Sequence, residues 1–285
     1  MRINSLELVS RSTVACASCK RASERTFFGV SLALFTLSAS VTIVWCASMS
    51  TMGTMPMPGG WTMSMTWMRM SGQTWSGLAA SFLGMWVVMM IAMMLPSLIP
   101  TLRRYRQAIG GTRETPLNWL TVLVGVGYFF VWTLFGVAVF PIGVMLSAAE
   151  MHLPALARVV PIAAGVVILI AGALQFTTWK AHNLACCRQT RSSDRTVRPN
   201  ATVAWQHGLR LGLQCSYCCA NLMVIPLAIG VMNLPAMAAV AAAITVERLA
   251  PAAERVARCI GAVALGTGML LIARAVGLAW LLSAS

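Results

Sequence analysis

The residues with the most chemistry stand in LQCSYCCANLM, residues 213–223, where Cys215, Cys218 and Cys219 open an otherwise apolar run. Spacings of three and four make neighbours on a helix surface, so the three thiols are expected on one face. If the helix begins just before them, its unpaired amides and the positive end of its dipole favour thiolate over thiol. Two or three thiolates suit a soft ion such as Cu(I), and Zn(II) fits if further ligands complete a tetrahedron. Such ligands are close in sequence. TWKAHNLACCRQ, residues 178–189, supplies His182, Cys186 and Cys187, and His207 stands one or two turns ahead of Cys215. Small packing residues at a helix contact would explain one cysteine, hardly five in two clusters.

A second kind of sulfur is set apart from the first. Residues 49–70 hold eight methionines, Met49, Met52, Met55, Met57, Met63, Met65, Met68 and Met70, separated by Thr, Ser, Gly and Pro. Thioethers carry no proton to lose and form no disulfide, so a flexible run of them can hold Cu(I) in an oxidising compartment. Met55, Met57, Met63 and Met65 are the candidate ligands there. The plainer reading is an amphipathic loop in the headgroup region anchored by Trp61, Trp67 and Trp75. In MWVVMMIAMMLPS, residues 85–97, Met85, Met89 and Met93 recur every four residues beside a stripe of Trp86, Met90 and Met94. On spacing alone ordinary helix packing is the stronger reading, with Met89 and Met93 the candidate ligands if it is a ladder. A lone C-x-x-C, Cys16 and Cys19, is a weak signal for a mobile metal donor or acceptor, and Cys46 and Cys259 are read as packing.

The elements that must position these groups are membrane helices. The chain has 285 residues, 58% hydrophobic and 10% charged, with a mean hydropathy of +0.77, well outside the soluble range. A span takes roughly 20 mainly apolar helical residues. Seven spans are expected, at residues 27–47, 78–98, 119–146, 159–179, 211–232, 235–246 and 259–282, with six as the alternative because the sixth is short. On this layout 18 of the 21 basic residues fall on one side, which the positive-inside rule makes cytoplasmic. That places the N-terminus inside, the methionine-rich loop outside and the cysteines at the inner edge. The formal charge of +14 is then a set of collars beside anionic headgroups, with no nucleic-acid partner implied.

The expected organisation is a basic cytoplasmic tail over residues 1–26, a first span over 27–47, an extracytoplasmic loop over 48–77 and a membrane bundle over 78–285. The basic region and apolar run at the N-terminus are both too long for a signal peptide. Glu247, beside Arg248, is read as balancing the collar or standing behind the metal ligands, and Gln175 and Asn221 as binding neighbouring helices. No catalytic triad, phosphate loop, dinucleotide fingerprint or carboxylate pair is visible, so an enzyme is not the favoured reading.

MWVVMMIAMMLPS, GALQFTTWKAHNLACCR, GLRLGLQCSYCCANLM followed by GVMNLPAM, and ERLAP together resemble a bacterial family of uncharacterised, predicted metal-binding integral membrane proteins. The resemblance covers about residues 75–275, and its most specific part is C-x-x-C-C-x-x-L-M, matched by Cys215, Cys218 and Cys219. Many members read Lys-x-x-Cys-Leu-x-x-Cys-Arg in the earlier stretch. Lys180, Cys187 and Arg188 match here, while Asn183 stands in place of the first cysteine. The resemblance implies metal binding in a membrane and supplies no reaction.

The function expected from sequence is therefore Cu(I) handling in a bacterial inner membrane: transport, delivery or assembly of a copper protein, with lipid and a copper protein or chaperone as partners. The alternatives are a membrane thiol–disulfide oxidoreductase cycling Cys215 and Cys218, against which the outer loop has no cysteine pair, and a structural subunit whose sulfur is packing.

Overall fold

A computed structural model describes the backbone over residues 5–51, 55–57, 61–63, 67, 72–109, 114–190 and 200–283, and side chains over 21–49, 67, 72–109, 117–187 and 200–277. Eight helices make up nearly all of it: α1 (Ser5–Thr51), α2 (Trp75–Ala108), α3 (Glu114–His152), α4 (Pro154–Leu174), α5 (Thr178–Thr190), α6 (Ala201–Ile229), α7 (Leu234–Leu249) and α8 (Ala253–Ser283). The basic tail and the first span are one continuous helix. Between α1 and α2, β1 (Met55–Met57) pairs antiparallel with β2 (Trp61–Met63), Met55 opposite Met63.

Among the described residues six helices are long and apolar enough to cross a membrane: α1, α2, α3, α4, α6 and α8. The seven spans expected become six of full length plus α7, which is only 16 residues. At the standard helical rise that is about 24 Å, short of the roughly 30 Å hydrocarbon core. Asn233 sets its start by accepting from the Ala236 amide at 3.0 Å, and Gly230 at φ 130° turns the chain between α6 and α7. The outer surface is apolar, with Leu32, Met145 and Val263 exposed by 62, 72 and 70%. Water would penalise so much bare hydrocarbon surface; a bilayer does not, and the chain is a helical membrane bundle.

Lipid provides no hydrophobic drive between helices, so close approach through small residues does the packing. A Cβ on Gly172 would lie 3.0 Å from the Gly261 carbonyl, and one on Gly268 would lie 2.9 Å from the Gly165 carbonyl, which brings α4 and α8 nearly backbone to backbone. The same device joins α3 to α6. A Cβ on Gly127 would meet the Trp205 carbonyl at 2.9 Å, one on Gly212 would meet the Tyr128 carbonyl at 3.0 Å, and one on Gly208 would run into the Val124 carbonyl. Those contacts bring Tyr128 of α3 to the face of α6 that carries the cysteines. The core between α2, α3, α6 and α7 is rich in sulfur: Met85, Met89, Met90, Met93 and Met94 of α2, Met223, Cys215 and Cys219 of α6 and Met237 of α7 are all buried.

One ion pair is buried where α4, α5, α6 and α7 meet. Lys180 Nζ lies 2.6 Å from Glu247 Oε1, both side chains are almost wholly inaccessible, and the ammonium also donates to the Cys218 carbonyl and to Asn221 Oδ1. Gln175 Nε2 donates to Glu247 Oε2 at 3.4 Å, and Asn221 Nδ2 to the Ala171 carbonyl at 3.3 Å, so both amides bind neighbouring helices as expected. Lys180, read as part of a solvated collar, is inside the bundle.

Breaking such a pair leaves one uncompensated buried charge, at a cost of about 3–5 kcal/mol, whereas removing both charges costs much less. Lys180→Met is expected to lower the unfolding temperature of the purified protein sharply, and adding Glu247→Gln to recover most of the loss. A double variant no more stable than the single one would show that the charges are not coupled. Gly208→Leu overpacks the α3–α6 contact and is expected to destabilise by about 1–3 kcal/mol, while the same change at the open position Gly125 is tolerated.

Candidate metal centre

Cys215 is fully buried and its sulfur accepts hydrogen bonds from two other helices. Tyr128 Oη of α3 donates to Cys215 Sγ at 2.9 Å, and Arg248 Nη1 of α7 donates to it at 3.0 Å. The same guanidinium donates to Ser97 Oγ of α2 at 3.1 Å, and Ser97 Oγ in turn donates to the Met94 carbonyl at 2.9 Å. One turn along α6, Cys219 Sγ lies 3.5 Å from Cys215 Sγ and also donates to the Cys215 carbonyl at 2.7 Å. Two sulfurs thus share a pocket with one fixed cation and one phenol, in surroundings that are otherwise methionine and hydrocarbon. A guanidinium cannot be deprotonated in such a place, so it brings a permanent positive charge to the pair.

The position of these cysteines corrects two expectations. They were placed in the first turns of their helix, but α6 begins at Ala201, where Asn200 Oδ1 accepts from the Thr202 amide, fourteen residues before Cys215. The polar stretch with His207 and Arg210 continues the helix instead of preceding it. The dipole argument therefore has no purchase on Cys215, whose polar neighbours are Arg248 and Tyr128 instead. The three thiols also do not act as one face. Residues three and four along lie on opposite sides of the first, about 100° apart. Cys219 accordingly joins Cys215 in the methionine-rich core, while Cys218 packs with Leu184 and Cys187 of α5 and Ala257 of α8.

The expected partners are divided in the same way. Cys187 reaches α6, donating to the Gln214 carbonyl at 3.4 Å and packing beside Cys218. Cys186 is half-buried and pairs along its own helix with His182, Nε2 to Sγ 3.5 Å, and His182 is exposed. His207 stacks on Tyr105 with ring centroids 5.3 Å apart, about 12 Å along the axis from Cys215. Neither histidine joins the cysteine pair. Among the described residues no three His, Cys, Asp or Glu side chains converge as a metal would need. The tetrahedral expectation for Zn(II) thus lacks its ligands there, whereas two sulfurs suffice for Cu(I).

Met89 and Met93 are both buried and line a small cavity in the α2–α6 seam together with Met223, Trp86, Pro226, Leu227 and Val231. The side chains of Met55, Met57 and Met63, the whole of Met65 and the side chains of Cys16 and Cys19 lie outside the described residues. Trp67, an interfacial anchor in the plainer reading of the loop, packs on Phe82 with centroids 4.9 Å apart and against Gly143 of α3. Cys46 is buried with its thiol 3.8 Å from Met232 Sδ, while Cys259, read as packing, is exposed.

Tyr128, Ser97 and the inward turn of Arg248 were not found from the sequence. A tyrosine in the middle of GVGYFF was the available signal, because a buried phenol needs a partner. Arg248 gave none, since an arginine near the end of a span reads as part of a collar.

No curated protein and no solved structure matches the chain. A family model does, over residues 83–271, more than half of the sequence and including every residue of the pocket around Cys215. That model is the PpoB2 family, described as a copper chaperone, and the chain belongs to that copper chaperone family.

Proposed function

We propose that this protein is a multi-pass chaperone of a bacterial inner membrane that holds Cu(I) between Cys215 and Cys219 as its cargo and hands it to a copper protein. The observation that carries the reading is the pair of sulfurs 3.5 Å apart inside a family of copper chaperones, with a fixed cation beside them. Two thiolates and one Cu(I) sum to one negative charge. Arg248 balances it, so the loaded centre is neutral in a medium where net charge is costly. A monovalent soft ion on two soft ligands also leaves an open side for a recipient's sulfur to attack, which is what delivery requires. Tyr128 holds Cys215 by its hydrogen bond and orients the lone pairs that face Cys219.

The distribution of basic residues supports a cytoplasmic position for the end of the bundle that carries Arg103, Arg104, Arg106, Arg255 and Arg258, and the methionine-rich loop then faces the oxidising side. Thioethers capture Cu(I) there without forming disulfides, and thiolates keep it where the compartment is reducing. Cys218 and Cys187 form a second, smaller sulfur contact on the far side of α6, and serve the α5 interface in this reading.

Copper analysis of the reduced, full-length protein tests it. At a competitor concentration that strips thioether-bound ion, one tightly held Cu(I) per chain is expected in the wild type, with its affinity falling by about tenfold or more in Cys215→Ser, Cys219→Ser and Arg248→Met and staying nearly unchanged in Cys186→Ser. Metal-free protein whose thiol count follows the redox potential would instead favour the thiol oxidoreductase. Retention of copper by the Cys215→Ser, Cys219→Ser double variant at wild-type affinity would end the assignment of the site.

A further inference from the structure

We infer that the cavity lined by α2 and α6 is a second Cu(I) site, a thioether station formed by Met89, Met93 and Met223 with Trp86 in the same wall, through which the ion passes to Cys219 and Cys215. The inference rests on the copper reading of the cysteine pair and adds a site of opposite chemistry. Three of the seven residues that line the cavity are methionines, two from α2 and one from α6, and all three are buried. Leucine would fill an apolar gap equally well. Methionine adds a soft donor on a long, adaptable side chain. Three neutral thioethers leave the bound ion with its single positive charge, which apolar walls alone would not tolerate. Trp86 lines the same cavity, and an aromatic ring beside a desolvated cation attracts it through its quadrupole. Its indole is held in place, since Nε1 donates to the Trp132 carbonyl of α3 at 2.8 Å.

The cavity is connected at both ends to sulfur or to the loop. Outward, Val231 of its wall adjoins Met232, whose sulfur meets Cys46 Sγ at 3.8 Å. Also outward, Trp86 stacks on Phe82 with centroids 5.8 Å apart, and Phe82 packs at a tilt on Trp67 at 4.9 Å, so a row of aromatic rings runs from the wall of the cavity to Trp67 of the methionine-rich loop. Inward, Met223 lies one turn beyond Cys219 on α6, and Met93 lies one turn before Ser97, which shares Arg248 with Cys215. A path lined by thioethers thus ends at thiols. The order of ligands runs from neutral to ionisable, so each transfer moves the ion towards a stronger donor without exposing it to water.

Full-length selenomethionine-labelled protein in nanodiscs, reduced and loaded with Cu(I), tests the station. In a Cys215→Ser, Cys219→Ser background the cavity should still bind. Adding Met89→Leu, Met93→Leu and Met223→Leu, volume-conserving changes that leave the loop methionines in place, should remove one Cu(I) per chain and lower the selenium–copper signal at the selenium absorption edge. An unfolding transition like that of the parent confirms that the loss is not a loss of fold. Equal copper and an equal selenium–copper signal in the two proteins would overturn the station. If the cysteine-intact protein holds copper while that equality is found, only the station falls; if no form of the protein retains Cu(I), the copper reading of the cysteine pair falls with it.

Discussion

Glu247 and Arg248, adjacent at the end of α7, are the constraint on which this half of the bundle depends. Consecutive residues on a helix point about 100° apart, so the two charges leave α7 in different directions. Glu247 meets Lys180 and closes the junction with α4, α5 and α6, and Arg248 crosses the core to Cys215 and Ser97. Neither charge could be held in such a place without its partner. The pair therefore fixes both the height of α7 and its rotation against α6. A 16-residue helix is too short to be positioned by its two ends meeting the two surfaces of a bilayer, and these two contacts position it instead.

The cysteine pair depends on a second constraint, close approach. Gly208 and Gly212 let α6 lie against α3 without intervening side chains, and that alone brings the Tyr128 phenol within hydrogen-bond reach of Cys215. The site is then assembled from four helices, with Ser97 from α2, Tyr128 from α3, Cys215 and Cys219 from α6 and Arg248 from α7. A soft ion held there would meet sulfur and balancing charge and little else. On the proposed function this is where the ion would be held, in a chain that belongs to a copper chaperone family.

Much of this was legible in advance. Apolar runs of about 20 residues reveal spans directly, because the bilayer sets their length, and the motif at Cys215, Cys218 and Cys219 was visible as the richest chemistry in the chain. Two of the errors share one cause. Lys180 and Arg248 were read by their place at the ends of spans, where charge normally meets water. Both turn inward because a specific partner waits there, and partners are a matter of which helices are neighbours. Likewise the start of α6 was placed at the edge of the apolar run, though hydrogen bonding carries the helix back through His207 to Asn200.

By itself, then, the sequence determined a helical membrane protein with sulfur in three places and basic residues in short runs between the apolar ones. Which sulfurs meet was decided only in the tertiary structure. Spacing along a helix gives the angle at which a side chain leaves it, but the neighbour met at that angle depends on how the helices pack. That is why Cys219 shares a pocket with Cys215 and Arg248, and Cys218, one residue away, faces Cys187 instead.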